Sequence, residues 1–257
     1  MHGFDPRHSF GREVAAHYDD TLRGDEQAAA EFLAARTTGG QALELAVGTG
    51  RIAVPLTALG VTVDGIELSP DMVERLRAQP GGDALRVELG DMTSVHMGRT
   101  YSLVYLVYNT IFNLLTADEQ VRCFENAARH LAEDGVFVVE TAVPHAWMSP
   151  GRADYVHTEL VELDAVGLDV ARYDPVTQLL SENHVRITTA GVTFTPIVCR
   201  LITPGEMDLM ARLAGLHLVE RYGSWREEPF GVASQLHVSV YARPSAAGGQ
   251  RAGEAAR

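Results

Sequence analysis

Leu43-Glu44-Leu45-Ala46-Val47-Gly48-Thr49-Gly50-Arg51 decides the fold. The apolar run Ala42 to Val47 reads as a strand, and a tight glycine turn passes it to a helix starting at Arg51. Upstream, a helical pattern from Gln27 to Ala35 is broken by Gly39-Gly40. Downstream, Val61 to Leu68 is a second strand closed by Ser69-Pro70, where Ser69 caps and Pro70 opens the helix Pro70 to Ala78. Leu85 to Leu89 is a short third strand. Tyr101 to Tyr108 is a fourth, with the near-continuous apolar content of a strand covered on both faces. Thr116 and Glu119 then form a capping box, and Val121, Phe124, Ala128 and Leu131 mark one face of a helix ending near Asp134-Gly135. Val136 to Thr141 is the fifth strand. Five βα steps predict an α/β fold with a parallel, doubly wound sheet.

After Thr141 the rhythm changes. An irregular stretch to Asp174-Pro175 leads into Leu179 to Thr189 and Val192 to Ile202, an antiparallel hairpin around Ala190-Gly191. Thr203 and Glu206 form another capping box for a helix reaching Ala214, followed by strands Leu216 to Tyr222 and Leu236 to Arg243. An antiparallel insertion therefore interrupts the sheet. The expected division is an N-terminal helical cap over 1–40, a Rossmann-like core over 41–145 and 203–245, a lid over 146–202 and a disordered tail over 246–257.

The 257 residues, 46% of them apolar, suffice for one large core. A formal net charge of -13 repels phosphate backbones and anionic lipid, so neither nucleic acid nor membrane is an expected partner. No apolar run reaches membrane-spanning length, and Met1 to Arg12 lacks the apolar core of a secretory signal; the cytoplasm is the expected compartment. Cys123 and Cys199 read as buried free thiols, and no histidine or cysteine has metal-ligand spacing, so metal-independent chemistry is expected.

Gly48 and Gly50 admit backbone angles and a close ligand approach that side chains forbid. With Ala53 they satisfy the dinucleotide pattern G-x-G-x-x-A, which keeps a nicotinamide or flavin cofactor open at this point. Two acids favour another ligand. Glu44 sets an anion just before the turn, suited to an ammonium, and Asp91 follows the third strand in Gly90-Asp91-Met92; a pyrophosphate is repelled by both.

From Glu44 to Arg243 the chain resembles the class I S-adenosylmethionine-dependent methyltransferases. The resemblance implies a Rossmann-like, seven-stranded, mostly parallel sheet whose last strand is antiparallel, with an antiparallel β lid inserted after the fifth strand. It implies S-adenosylmethionine as cofactor and S-adenosylhomocysteine as product. On that basis Glu44 through Gly50, Ala46 and Gly48 included, line the methionine part of the cofactor. Glu67 takes both ribose hydroxyls, Met72 flanks the adenine, and Asp91 and Met92 read its edge. Arg51, Leu68, Val107 and Tyr108 complete the cofactor site. A carboxylate at a strand end can accept from both hydroxyls of a vicinal diol, which supports Glu67 independently. Ala46 stands where the family most often has glycine; only a methyl is added, and tolerance is expected.

The hairpin resembles the lid of small-molecule methyltransferases, including glycine and aminosugar N-methyltransferases and natural-product tailoring enzymes. That likeness implies that Tyr18 closes over cofactor and acceptor and that Tyr108-Asn109-Thr110-Ile111-Phe112-Asn113 lines the pocket. Asn113, which cannot take a proton, falls where several aminosugar enzymes carry histidine. Methyl transfer from a sulfonium is an in-line displacement, so alignment outranks acid-base power. For acceptors that need deprotonation, Tyr18, His145 and His157 are the candidate bases, with His145 best placed because it follows the fifth strand. Asn109, Phe112, Trp147, Tyr155 and His157 are expected to bind the acceptor, whereas His184, Arg186 and Arg200 read as a solvated lid face.

The expected function is methyl transfer to a small organic acceptor in secondary metabolism, nitrogen or oxygen favoured, with an aromatic or indole carbon open. An NAD(P)-dependent reductase is the alternative, disfavoured because Ser/Tyr/Lys-type catalytic sets are absent; a non-catalytic cofactor-binding scaffold is another. Lid edge strands leave a homodimer open.

Overall fold

The computed structural model describes residues 1, 4–5, 9–20, 23–148 and 153–244; the tail expected to be disordered, 246–257, lies outside them. Two helices, α1 (Arg12–His17) and α2 (Glu26–Ala35), precede the sheet. The core then runs β1 (Gln41–Leu45), α3 (Ala53–Ala58), β2 (Thr62–Glu67), α4 (Pro70–Ala78), β3 (Arg86–Leu89), β4 (Tyr101–Leu106), α5 (Ala117–His130) and β5 (Leu131–Ala142). Four further strands follow, β6 (Asp154–Val161), β7 (Ala165–Asp174), β8 (Leu179–Thr188) and β9 (Gly191–Arg200), before α6 (Pro204–Leu213), β10 (His217–Tyr222) and β11 (Leu236–Ala242).

The main sheet has the order β10-β11-β5-β4-β1-β2-β3. Its first five strands in chain order are parallel, and β11 lies antiparallel between β5 and β10. This is the mostly parallel sheet with an antiparallel last strand that the sequence led us to expect. One face packs on α5 and α6 through Phe124, Phe137, Met207 and Tyr241; the other packs on α2 and α3 through Phe32, Leu33, Leu56 and Tyr105. The predicted caps are present, except that the Thr203 box is half made: Thr203 accepts from the Glu206 amide, while the Glu206 carboxylate is taken by Gln178 and Arg200. Ser69 accepts from the Met72 amide with Pro70 at the helix start, and Thr116 and Glu119 bond reciprocally.

The structure departs from expectation at the end of α5, in the stretch before the hairpin and at Arg200. The helix α5 stops at His130, four residues early, because Leu131 already pairs with Tyr101 on β4 and the Arg243 guanidinium donates to the carbonyls of Ala128, Leu131 and Ala132. The stretch read as irregular holds β6 and β7, which join the hairpin in a separate four-stranded sheet of order β6-β7-β8-β9. That sheet packs on the core through Ala171, Leu180 and Cys199, whereas β6 is exposed or half-buried throughout and so carries no apolar run to announce it. Arg200 is not on a solvated face: it is 7% exposed and donates to Gln120, Gln178 and Glu206, tying the end of the lid to α5 and α6.

Candidate active site

The glycine turn sits where β1 ends, at the carboxyl edge of the parallel strands. Ala46, Gly48 and Gly50 all take left-handed backbone angles, with φ of 59, 56 and 83°. At Gly50 packing adds to the requirement, since a Cβ would lie 2.3 Å from the Leu76 Cδ1 on α4. Glu67 closes the turn from the end of β2. One of its oxygens accepts from the Gly48 amide and the other from the Ser69 amide, both at 2.8 Å, so one carboxylate fixes both the turn and the start of α4. Burial raises the Glu67 pKa, against the pull of those amides.

Ala46, Gly48, Glu67, Leu68, Met72, Asp91 and Met92 line one cavity of about 410 Å³. Tyr108, Asn109, Trp147, Tyr155 and His157 line a second, of about 900 Å³, under the lid. Phe10, Tyr18, Thr110 and Asn113 belong to both walls. The parallel-strand edge and the lid sheet thus bound two adjoining chambers with shared side chains.

Several expected residues lie elsewhere. Glu44 does not reach the first cavity: it is 3% exposed, paired in register with Tyr105 on β4, and accepts the Tyr105 hydroxyl at 2.9 Å. Burial pushes its carboxyl up to about 8, opposed by Tyr105 and Arg51. Gly50 is packed under Leu76, and Val107 belongs to the core on the α2 and α3 side. Arg51 lines neither cavity; its guanidinium covers the Tyr108 ring at 3.7 Å and faces Glu26 at 3.9 Å. Tyr108, expected both at the cofactor and in the pocket after the fourth strand, lines only the lid chamber. Phe112 is fully buried and supports Trp147 edge-to-face, with centroids 5.5 Å apart, rather than lining the pocket.

The proposed bases fare differently. His145 lies in a single 3-10 turn, Pro144–Ala146, that leaves its side chain exposed and outside both cavities. Tyr18 is in place, but burial pushes its hydroxyl up to about 12, which keeps it protonated at neutral pH and removes it as a base. Its ring meets Phe10 and Tyr108 edge-to-face. His157 lines the lid chamber.

Sequence reasoning missed the pair beneath Tyr108. Arg23 donates through both terminal nitrogens to Glu140, at 3.3 and 3.0 Å, and lies 4.7 Å over the Tyr108 ring. Glu140 is 1% exposed and also accepts from the Tyr108 amide. Tyr108 and Asn109 both have φ near 60°, and the Glu140 carboxylate and carbonyl anchor this strained turn. The available signal was an isolated glutamate inside the apolar run of β5. His184, read as surface, lines the lid chamber with Asp169 and Glu182.

A glycine turn and a strand-end carboxylate facing one chamber, with a second chamber under an inserted sheet, define a nucleoside-cofactor enzyme of the doubly wound class. The comparisons with known proteins narrow this. Residues 42–135 match the family model described as a methyltransferase domain. The CcbJ methyltransferase from Streptomyces caelestis is 36% identical, with 94% of this chain and 100% of that one covered and a TM-score of 0.87. A cypemycin N-terminal methyltransferase from Streptomyces sp is 27% identical, covering 80% of this chain and 84% of its own. The SAM-bound structure of CalS10, an amino pentose methyltransferase from Micromonospora echinaspora, is 26% identical, covering 90% of this chain and 96% of that one, with a TM-score of 0.65. The chain belongs to the class I S-adenosylmethionine-dependent methyltransferases, and S-adenosylmethionine is its cofactor. The reductase and scaffold alternatives are set aside.

The first chamber fits such a cofactor: its volume is in the range of small-ligand pockets, and Glu67 and Asp91 suit hydroxyl and amine donors but not phosphates. Among the described residues no helix is long and apolar enough to cross a membrane.

Proposed function

We propose that this enzyme methylates the nitrogen of an amine-bearing small natural product. In this reading Glu67 receives the ribose hydroxyls, Met72 and Met92 flank the base, Asp91 accepts from its edge, and the Gly48 turn lies along the methionine part. The acceptor enters the lid chamber, walled by Asn109, Trp147, Tyr155 and His157. The sulfonium supplies an electrophilic methyl group, and the chain's own residues align the acceptor and exclude water. The observation that supports the reading is that Phe10, Tyr18, Thr110 and Asn113 line both chambers, so that the two adjoin. Nitrogen is chosen over oxygen and carbon because the cypemycin enzyme is named for an N-terminus and CalS10 for an amino pentose.

Calorimetric titration with S-adenosylhomocysteine tests the cofactor half. Wild type is expected to bind, and Asp91→Asn and Glu67→Gln to bind at least about tenfold more weakly, as loss of charge-assisted hydrogen bonds predicts. Turnover of an amine panel, scored against matched alcohols, tests the acceptor half. Methylation of alcohols alone would reject nitrogen as the acceptor atom.

A further inference from the structure

The lid chamber contains a histidine–carboxylate pair. Across three adjacent lid strands, His157 on β6, Asp169 on β7 and His184 on β8 are register partners in one row, and all three line the chamber. Asp169 Oδ1 lies 2.6 Å from His184 Nδ1. A carboxylate only accepts, so Nδ1 carries a proton, and in the neutral ring the lone pair is on Nε2. The sheet register sets Asp169 opposite His184, independent of any loop.

The wall has work for it. An aliphatic amine reaches the enzyme largely as ammonium and has no lone pair until a proton is removed. Of the bases expected from sequence, Tyr18 stays protonated, His145 lies outside both chambers, and His157 lines the lid chamber beside this pair, one strand over from His184 across Asp169. We propose that the Asp169–His184 pair accepts the proton of the incoming ammonium, a role that rests on the amine reading above. The proton moves from nitrogen to His184 Nε2, leaving a neutral amine and an imidazolium held by Asp169. The freed lone pair forms the N–CH3 bond as the CH3–S bond breaks, and that bond's electron pair stays on sulfur. The imidazolium then loses its proton to water along its exposed edge, since the side chain is 42% exposed. The charged and titratable groups gathered around the pair are Tyr155, His157 and Glu159 from β6, Asp169 from β7 and Glu182 from β8; β9 contributes Thr195 as the row partner. The carboxylates surround the positive charge that develops there.

Sinefungin, a cofactor analogue with an ammonium where the transferable methyl group lies, probes the pair without a known acceptor. Its affinity is measured beside that of S-adenosylhomocysteine, with and without EDTA. In Asp169→Asn and in His184→Gln, sinefungin is expected to weaken about fivefold or more while S-adenosylhomocysteine is unchanged, as loss of one charge-assisted contact predicts. Unchanged S-adenosylhomocysteine affinity also reports an intact fold. A ratio unaltered in both variants overturns the proposal. So does an effect confined to His157→Gln, which would move the role to the neighbouring strand, or sensitivity to EDTA, which would point to a cation bound among Glu159, Asp169 and His184. Failure of wild type to bind S-adenosylhomocysteine would strike the functional reading itself, a separate result.

Discussion

Tyr105 donates its hydroxyl to Glu44 at 2.9 Å, between register partners of the two central strands β4 and β1. This acid is sealed beneath the glycine turn, and burial dominates its chemistry, raising its carboxyl to about 8. A folded-state pKa raised above the unfolded value of 4.5 contributes stability that is complete below pH 4.5 and is lost as pH rises through 8. Glu44→Gln keeps an acceptor for Tyr105 and has no charge to bury. Urea unfolding is expected to show wild type losing on the order of 1 kcal/mol per pH unit relative to the variant between about pH 5 and 8.

The Arg23 and Glu140 pair ties the N-terminal segment to the strand end that carries Tyr108. Glu140 is almost wholly buried, so Arg23→Met leaves an unpaired internal charge, expected to cost about 3 kcal/mol. Glu140→Gln in the Arg23→Met background should recover much of that loss, because the amide needs no counter-ion. A double-mutant cycle by chemical denaturation measures the coupling, and strictly additive losses would show the pair to be inert.

Tyr18 belongs to both chamber walls as a ring rather than as a base. Tyr18→Phe is expected to bind S-adenosylhomocysteine within about twofold of wild type, and Tyr18→Ala about tenfold more weakly, in line with the apolar area an aromatic ring covers. Calorimetry on the two variants separates ring from hydroxyl. Equal losses in both would return the role to the hydroxyl.

Local rules carried the sequence reading as far as local physics decides structure. The turn at Gly48 and Gly50 was legible because its left-handed angles need small residues, and the caps at Ser69, Thr116 and Thr203 because a side-chain oxygen must meet orphan amides. The end of α5 was misplaced because Leu131 continues the apolar helical stripe and only its distant partners, Tyr101 and Arg243, pull it into the sheet. The strand β6 was missed because most of its side chains face water and need no apolar alternation, and β7 because the face it buries holds Ala165, Gly167 and Ala171 rather than large apolar side chains. Arg23 with Glu140, 117 residues apart, and Asp169 with His184 are products of tertiary pairing and sheet register. Neither leaves a motif.

His237 provides the acid counterpart to Glu44. It is fully buried on β11, its Nδ1 meets the Ser239 hydroxyl at 2.8 Å, and its Nε2 has no partner. Burial, reinforced by Arg221, lowers its pKa to about 3. For a depressed folded-state pKa the stabilising contribution is present above the unfolded value of 6.5 and is lost as pH falls toward 3, because the unfolded chain takes up the proton first. At pH 5 that uptake amounts to about 2 kcal/mol in favour of unfolding. His237→Gln cannot be protonated, so its stability should fall less than wild type between pH 7 and 5, whatever its absolute stability. Denaturant midpoints for both proteins across that interval give the difference. Parallel declines would mean that His237 is hydrated or paired in solution and does not set the acid limit of the fold.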